Sequence, residues 1–214
     1  MQQSISCCDT AWVVGAIGRS ELRPAAKVLT AAFWEYPETL HLLPDERRRR
    51  HVLPRYLLSD ARDAARFDTL LGAHANGHLV GAAAWIPPAA YPVSTRRQIL
   101  QVLDLAPALP WALRCAREAR RAQSLNRIYH RKHPEHFYLR GIGVDPDHQG
   151  HGIGGALLKP ILDRADQDNV GCFLQTATPS NVRWYEQFGF VVADSYRPTP
   201  TWPNSWAMWR SPAT

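Results

Sequence analysis

Four glycines, Gly150, Gly152, Gly154 and Gly155, crowd into six positions of the stretch VDPDHQGHGIGGALL, residues 144–158. Glycine weakens a helix interior by about 1 kcal/mol relative to alanine, yet an apolar, helix-forming run follows at once. That combination suits anion binding. The first turn of a helix leaves backbone N–H groups without partners and carries partial positive charge. An anion satisfies both if its oxygens can reach the backbone, and side chains at these four positions would stand in the way. The stretch lacks the Lys-Ser/Thr ending of a P-loop. It does not cleanly match G-x-G-x-x-G with a following acidic ribose binder either. A tight strand-to-helix turn with no ligand is the alternative reading.

A second stretch, ATPSNVRWYEQFGFVV at 177–192, carries a different chemistry. Asn181 can cap a short helix, and Gly189 can end it in the left-handed conformation. Asn181 and Tyr185 lie four apart and share a face. Trp184 and Phe188 share another and can pack inward. A phenol, with a pKa of about 10, is protonated at neutral pH and can donate a proton as charge builds on a leaving atom. The competing reading of Tyr185 is a boundary aromatic whose hydroxyl reaches water. Cys7, Cys8, Cys115 and Cys172 form no C-x-x-C pair, which argues against a zinc site or a disulfide framework, and no metal site is expected.

Taken together, the two stretches resemble the GNAT superfamily of acyl-CoA N-acyltransferases. Q149-G-H-G152-I-G154 is similar to its Q/R-x-x-G-x-G/A pyrophosphate loop. N181-V-R-W-Y185-E-Q-F-G189-F190 resembles the Asn-helix-Tyr-x-x-x-Gly-Phe segment that follows its fifth strand. Within it, V-D-P-D-H-Q-G-H-G-I-G, F-L-Q-T-x-x-x-x-N and A31-A-F-W-E-Y36-P37 look like the puromycin N-acetyltransferase-like members. The resemblance is strong over 136–192 and weak over 93–133 and at the N-terminus.

The resemblance implies acetyl-CoA held between splayed fourth and fifth strands. Backbone groups of Ile142 and Val144 would pair with the pantetheine arm. The N–H groups of Gln149, Gly150, His151, Gly152, Ile153, Gly154 and Gly155 would cradle the pyrophosphate. Asn181 would touch the pantetheine. The chemistry implied is direct acetyl transfer to a primary amine of a small molecule, without an acyl-enzyme, and with Tyr185 as the acid. Glu35 lies in the segment expected to line the acceptor pocket and is the candidate base; an exposed helix carboxylate is its alternative. Phe33, Trp34, Tyr36, Trp85, Gln175 and the Trp202–Trp206 segment are the other expected pocket residues, since an aromatic lining suits a flat or apolar amine. Gln175 stands where puromycin N-acetyltransferase carries a glutamate, and a glutamine cannot serve as a base. His130, His133 and His136 are read as surface or structural histidines.

These residues need a frame. AWVVGAI at 11–17 reads as a first strand. Leu22, Ala25, Ala26, Leu29, Ala32 and Phe33 then recur at helical spacing, with Ser20 as N-cap. A second helix is expected over 45–60. FDTLLGAHANGHLVGAAAWIP reads as a hairpin around Asn76-Gly77, because both residues tolerate positive φ. Residues 93–133 look like a basic helical insertion able to act as a lid, with an apolar stripe of Ile99, Leu100, Val102 and Leu103. HFYLRGIGV, VGCFLQTAT, FGFVVADSY and NSWAMWR read as four more strands, and Pro160 should kink the helix after the glycines. Trp206 and Trp209 are expected in the core. The sum is one α+β domain over 1–214, a three-layer α/β/α arrangement. Its mixed, mostly antiparallel sheet has about seven strands, splayed between the fourth and fifth, with the insertion before the fourth.

Composition agrees with a globular enzyme-like domain: 45% apolar, 21% charged and net charge +6. No run of about 18 apolar residues exists for a membrane span, and no signal-peptide pattern opens the chain, so a cytoplasmic monomer or homodimer is expected. Two other functions remain open. One is an acyl-CoA-binding sensor without turnover. The other is a nucleic-acid-binding protein using R47-R-R-R50 and R114-C-A-R-E-A-R-R121. Solvated helix faces explain those runs equally well, and no helix-turn-helix signature accompanies them.

Overall fold

The computed structural model of the chain describes residues 3–5, 12–90, 93–112, 118, 120–121, 130 and 135–213. Eight strands form one sheet: β1 (Gln3–Ile5), β2 (Trp12–Ala16), β3 (Leu70–Ala75), β4 (His78–Ile86), β5 (His136–Val144), β6 (Gly171–Thr176), β7 (Val191–Tyr196) and β8 (Ser205–Arg210). Their order is β1-β2-β3-β4-β5-β6-β8-β7. All pairs are antiparallel except β5 with β6. The three-residue β1 is an edge addition to the seven expected strands. Asn76 (φ 52°) and Gly77 (φ 78°) make the two-residue turn between β3 and β4, as their tolerance of positive φ predicts.

Helices cover both faces. The described ones are α1 (Leu22–Phe33), α2 (Pro37–Leu42), α3 (Glu46–Ala65), α4 (Thr95–Leu105), α5 (Leu109–Ala112), α6 (Ile153–Gln167) and α7 (Pro179–Glu186). Strand alternation divides the core between the faces. Leu70, Ala82 and Ala84 join Leu29, Val52, Leu53 and Leu57 of α1 and α3. Leu71, Ala83 and Trp85 join Leu157, Leu158 and Ile161 of α6. Each fully buried leucine or isoleucine there contributes about 1.5–3 kcal/mol. Trp85, with no exposed surface, is therefore a core residue under α6 rather than a pocket wall. None of the described helices is long and apolar enough to cross a membrane.

Several helix boundaries depart from expectation for local reasons. A 3-10 turn at Arg19–Glu21 precedes α1, so Glu21 and not Ser20 stands at its N-cap. Pro37 restarts the chain as α2, a helix the sequence reading does not separate from its surroundings. Asp45 caps α3 by accepting from the Arg48 N–H at 2.8 Å, and α3 runs on to Ala65. The helix α6 continues through Pro160 to Gln167, the missing N–H there leaving one rung unmade. In the arginine run at the start of α3, Arg49 is buried over the Trp34 ring and donates to the Leu43 carbonyl, while Arg50 pairs with Glu46. It is not one continuous basic surface. The apolar stripe of α4 also points the other way: Ile99, Val102 and Leu103 are more than half exposed. What holds α4 down is Arg97, buried and bidentate to Asp63 at 2.8 and 2.6 Å. Most of the rest of the expected insertion, including His133 and most of the 114–121 run, lies outside the described residues.

Candidate active site

The sheet opens at one place. Pairing of β5 with β6 runs from His136↔Gly171 to Leu139↔Leu174 and then stops. Arg140 is the extra residue of a bulge, since Trp85 pairs with Leu139 and Ala84 with Gly141. A bulge bends its strand and resets its alternation. Ile142 and Val144 then share the α6 face with Phe137 and Leu139, while Gly141 and Gly143 turn to α1. A Cβ on Gly143 would sit 2.5 Å from that of Ala32, so only glycine allows α1 this close. Beyond Leu139, β5 is paired to β4 and its opposite edge borders a cleft. On β6, Gln175 and Thr176 pair only with β8. The Tyr36 hydroxyl accepts the Ala177 N–H at 2.5 Å and meets Thr176 Oγ1 at 3.2 Å, occupying a group the lost ladder would leave bare.

One cleft of about 800 Å³ follows the splay from the glycine loop to α2. At the loop end, Asp145 accepts from the Asp147 N–H, and the Gln149 side chain donates back to the Val144 carbonyl at 3.1 Å. Gly150 and Gly152 have φ of +80° and +78°, a conformation that strains any other residue. Gly152 is the N-cap of α6 and supplies no side-chain cap, so the first-turn N–H groups open onto the cleft. The other two glycines serve packing. A Cβ at 154 would lie 2.9 Å from the Trp184 ring, and one at 155 would lie 2.9 Å from Phe188. Their expected role, access for an anion, therefore belongs chiefly to Gly150 and Gly152. His151 is exposed, its ring near the His148 carbonyl, and it is not part of the cleft lining.

In the middle stand Asn181 and Tyr185, on one face of α7 as their spacing predicts. Asn181 is the third residue of that helix, not its cap; Thr178 holds the cap position without a side-chain bond. Gly189 (φ +83°) ends the segment, and Trp184 and Phe188 pack on α6. Tyr185 is only 5% exposed. Burial, and after it the nearby Tyr36, pushes its phenol above the ordinary value. It stays protonated throughout the neutral range.

At the far end the cleft is lined by α2, α3, Leu105, Tyr138, Arg140, Gln175, Tyr196 and Trp202. Phe33, Tyr36, Gln175 and Trp202 thus stand where the sequence reading puts them. Glu35 does not. Its side chain is 72% exposed and its carboxylate lies 3.8 Å from Arg49, outside the cleft. Tyr36-Pro37 ends the preceding helix and turns the next carboxylate inward instead. Glu38, in the first turn of α2, accepts from Ser205 Oγ at 2.8 Å and Trp202 Nε1 at 3.3 Å. Trp34 packs beneath Arg49 rather than in the cleft, and Trp206 and Trp209 lie on β8. Gln175 donates to the Tyr196 hydroxyl.

The sequence reading also misses a buried charge cluster. Arg140 pairs with Asp60 at 2.6 Å and lies 3.8 Å from Asp63. Burial raises the Asp60 carboxyl to about 6 against the lowering pull of Arg140. Burial works against Arg140's own charge, but Asp60, Tyr56 and Tyr138 outweigh it. A signal exists: Arg140 is the one charged residue inside HFYLRGIGV. The histidines fall on the structural side: His130 and His136 are buried, stacked, and in contact at 2.7 Å.

Known proteins share this frame. The chain matches two uncharacterized N-acetyltransferases of Schizosaccharomyces pombe at 36% identity over 63 and 59 residues, 29% and 28% of this chain. Those stretches span only about a quarter of each relative's length. Among solved structures, a histone acetyltransferase HPA2-related protein of Corynebacterium glutamicum superposes with a TM-score of 0.60 at 19% identity, covering 94% of this chain and 96% of that one. The polyamine N-acetyltransferase of Drosophila melanogaster gives 0.56 at 16% identity, covering 94% and 99%. The PaiA N-acetyltransferase of Thermoplasma acidophilum, solved with coenzyme A, gives 0.57 at 13%, covering 94% and 98%. The sequence profile of the acetyltransferase (GNAT) family matches residues 28–190, about three-quarters of the chain. The chain belongs to the acetyltransferase (GNAT) family.

Proposed function

We propose that the protein transfers an acetyl group from acetyl-CoA directly to the amine of a small molecule. One observation carries the reading: a single cleft is lined by the glycine loop, Tyr185 and Glu38. The residues present fit the coenzyme. Gly150 and Gly152 fix a loop that no side chain fills, and the uncapped α6 N-terminus offers N–H groups to a pyrophosphate. The unpaired edge of β5 at Ile142 and Val144 offers backbone groups to the pantetheine, and Asn181 offers its amide.

Acetyl-CoA supplies an activated thioester. Backbone N–H groups near Val144 stabilise negative charge that develops on the carbonyl oxygen. Tyr185 holds a proton at Oη for the departing sulfur, its raised pKa keeping the phenol protonated at neutral pH. Glu38 takes the place foreseen for Glu35: its carboxylate holds the acceptor's ammonium and receives one proton before attack, while the second leaves nitrogen as the C–S bond breaks and restores the Tyr185 phenol. The cleft contributes the remainder by holding amine and thioester together.

Thermal unfolding with and without acetyl-CoA tests the reading. A ligand at about a hundred times its Kd stabilises the native state by about 2.7 kcal/mol. An upward shift in the wild type, lost in Gly152→Glu, is expected. No shift at millimolar acetyl-CoA would overturn it.

A further inference from the structure

The acceptor end of the cleft has an uneven charge inventory. Among the described residues that line the cleft, Glu38 is the one carboxylate. The acids of α3 and α4 near this end are committed, and Glu35, on the segment before α2, faces outward. Asp60 faces Arg140, Asp63 is held by Arg97 and lies near Arg66 and Arg140, and Asp104 pairs with Arg62. Arg140 itself lines the cleft on the acceptor side. Apart from Thr39, Gln175 and Thr176, the rest of that end is apolar or aromatic, with leucines of α2 and α3 on one side and Tyr56, Tyr138, Tyr196 and Trp202 around them. Tyr56 is 40% exposed, in the cleft lining, and its phenol is raised by the Asp60 charge and by burial. It is a neutral wall.

We infer that the acceptor is a monoamine with a bulky apolar or aromatic body, and that this end of the cleft rejects diamines and polyamines. The inference rests on the proposed acetyl transfer and narrows its substrate. One ammonium is satisfied at Glu38, between two donors that hold the carboxylate in place. A second ammonium further along would lose its hydration among leucines and meet the Arg140 guanidinium, with no second carboxylate among the described lining residues to receive it. Between residues 113 and 134 the sequence holds seven Lys or Arg and a single acid, Glu118, whose carboxylate contacts His41 at 2.8 Å. The apolar wall rewards the opposite kind of substrate, since burying apolar groups against it is favourable. The polyamine acetyltransferase that shares this fold is therefore no guide to the substrate here.

The test is acetyl-CoA-dependent thiol release by the full chain, measured with five acceptors. These are 2-phenylethylamine, hexylamine, putrescine, agmatine and spermidine, with a short peptide bearing a free N-terminus as a sixth. The monoamines should show kcat/KM at least tenfold above every polycation and above the peptide. Glu38→Gln should raise the KM for 2-phenylethylamine at least tenfold while the thermal shift with acetyl-CoA stays at the wild-type value, which also shows that the variant folds. Preference for a polycation or the peptide would overturn the inference. So would acetyl-CoA binding without turnover of either monoamine. An absent acetyl-CoA shift would instead remove the proposed function beneath it.

Discussion

The two halves of the cleft are built differently. The coenzyme half is made of backbone: a bulged strand, two glycines with positive φ and a helix N-terminus, all from the contiguous run 140–155. The acceptor half is made of side chains from α2, α3, β5 and the segment before β8. Backbone geometry holds an invariant group such as a pyrophosphate and tolerates change around it. A surface of side chains can be redrawn one residue at a time. The comparison teaches that the anion-binding backbone sits in one continuous stretch, while the acceptor-end side chains are spread over the chain.

The boundary between the halves is Tyr185, and breaking it should have the largest effect. Tyr185→Phe removes the proposed proton donor and keeps the ring that packs on Trp184 and Phe190. Turnover should fall by about 10²–10⁴-fold, with the acetyl-CoA thermal shift nearly unchanged. A wild-type rate would take Tyr185 out of the mechanism.

A smaller effect separates the glycines of the coenzyme half. Gly154→Val places atoms where the Trp184 ring already stands, and such overpacking costs about 1–3 kcal/mol. Gly150→Ala meets no atom and carries only the left-handed backbone penalty of about 1–2 kcal/mol. Melting of the ligand-free protein should therefore fall for both, and further for Gly154→Val. If Gly154→Val left ligand-free stability intact and weakened only acetyl-CoA binding, both glycine pairs would serve access and the packing account would fail.

Sequence made the coenzyme half legible because its signals are local. Glycine crowding, the four-residue spacing of Asn181 and Tyr185 and the Asn76-Gly77 turn each depend on neighbours in the chain. The acceptor half resisted because its members meet only through the fold. Glu35 and Glu38 look alike in sequence; the restart of the helix at Pro37 decides which faces the cleft, and that depends on where Tyr36 finds Ala177. Trp85 was misplaced for a related reason. Its strand is buried on both faces, so its composition does not say which face it joins. The stripe on α4 failed because one buried arginine, not the apolar residues, orients that helix.

Outside the cleft, His130 gives a prediction of about the same size, read by pH. Burial first, then His136 and Arg140, lower its pKa to about 3 from an ordinary 6.5. The folded state thus favours the neutral ring. Stability from this source is present above pH 6.5 and is lost as the pH falls from there toward 3, while the unfolded chain takes up the proton. At pH 5 the loss is about 2 kcal/mol. His130→Phe should flatten the acid limb of a urea-melting series between pH 7 and pH 5. An unchanged slope would assign acid sensitivity to other groups, the Asp60 carboxyl at about 6 not among them, since a raised carboxyl pKa favours the fold at low pH.

The smallest effect tests the acceptor half directly. Glu35→Gln touches a carboxylate that is 72% exposed and only loosely paired with Arg49. An exposed pair of this kind contributes about 0–1 kcal/mol. Stability should stay within that range and kcat/KM within twofold of the wild type, with the same substrate order. A tenfold loss of kcat would mean that the α1–α2 junction rearranges when the amine binds, bringing Glu35 inward. Glu38 would then anchor the ammonium while Glu35 removed its proton, and the acceptor half would be assembled by its substrate rather than built in advance.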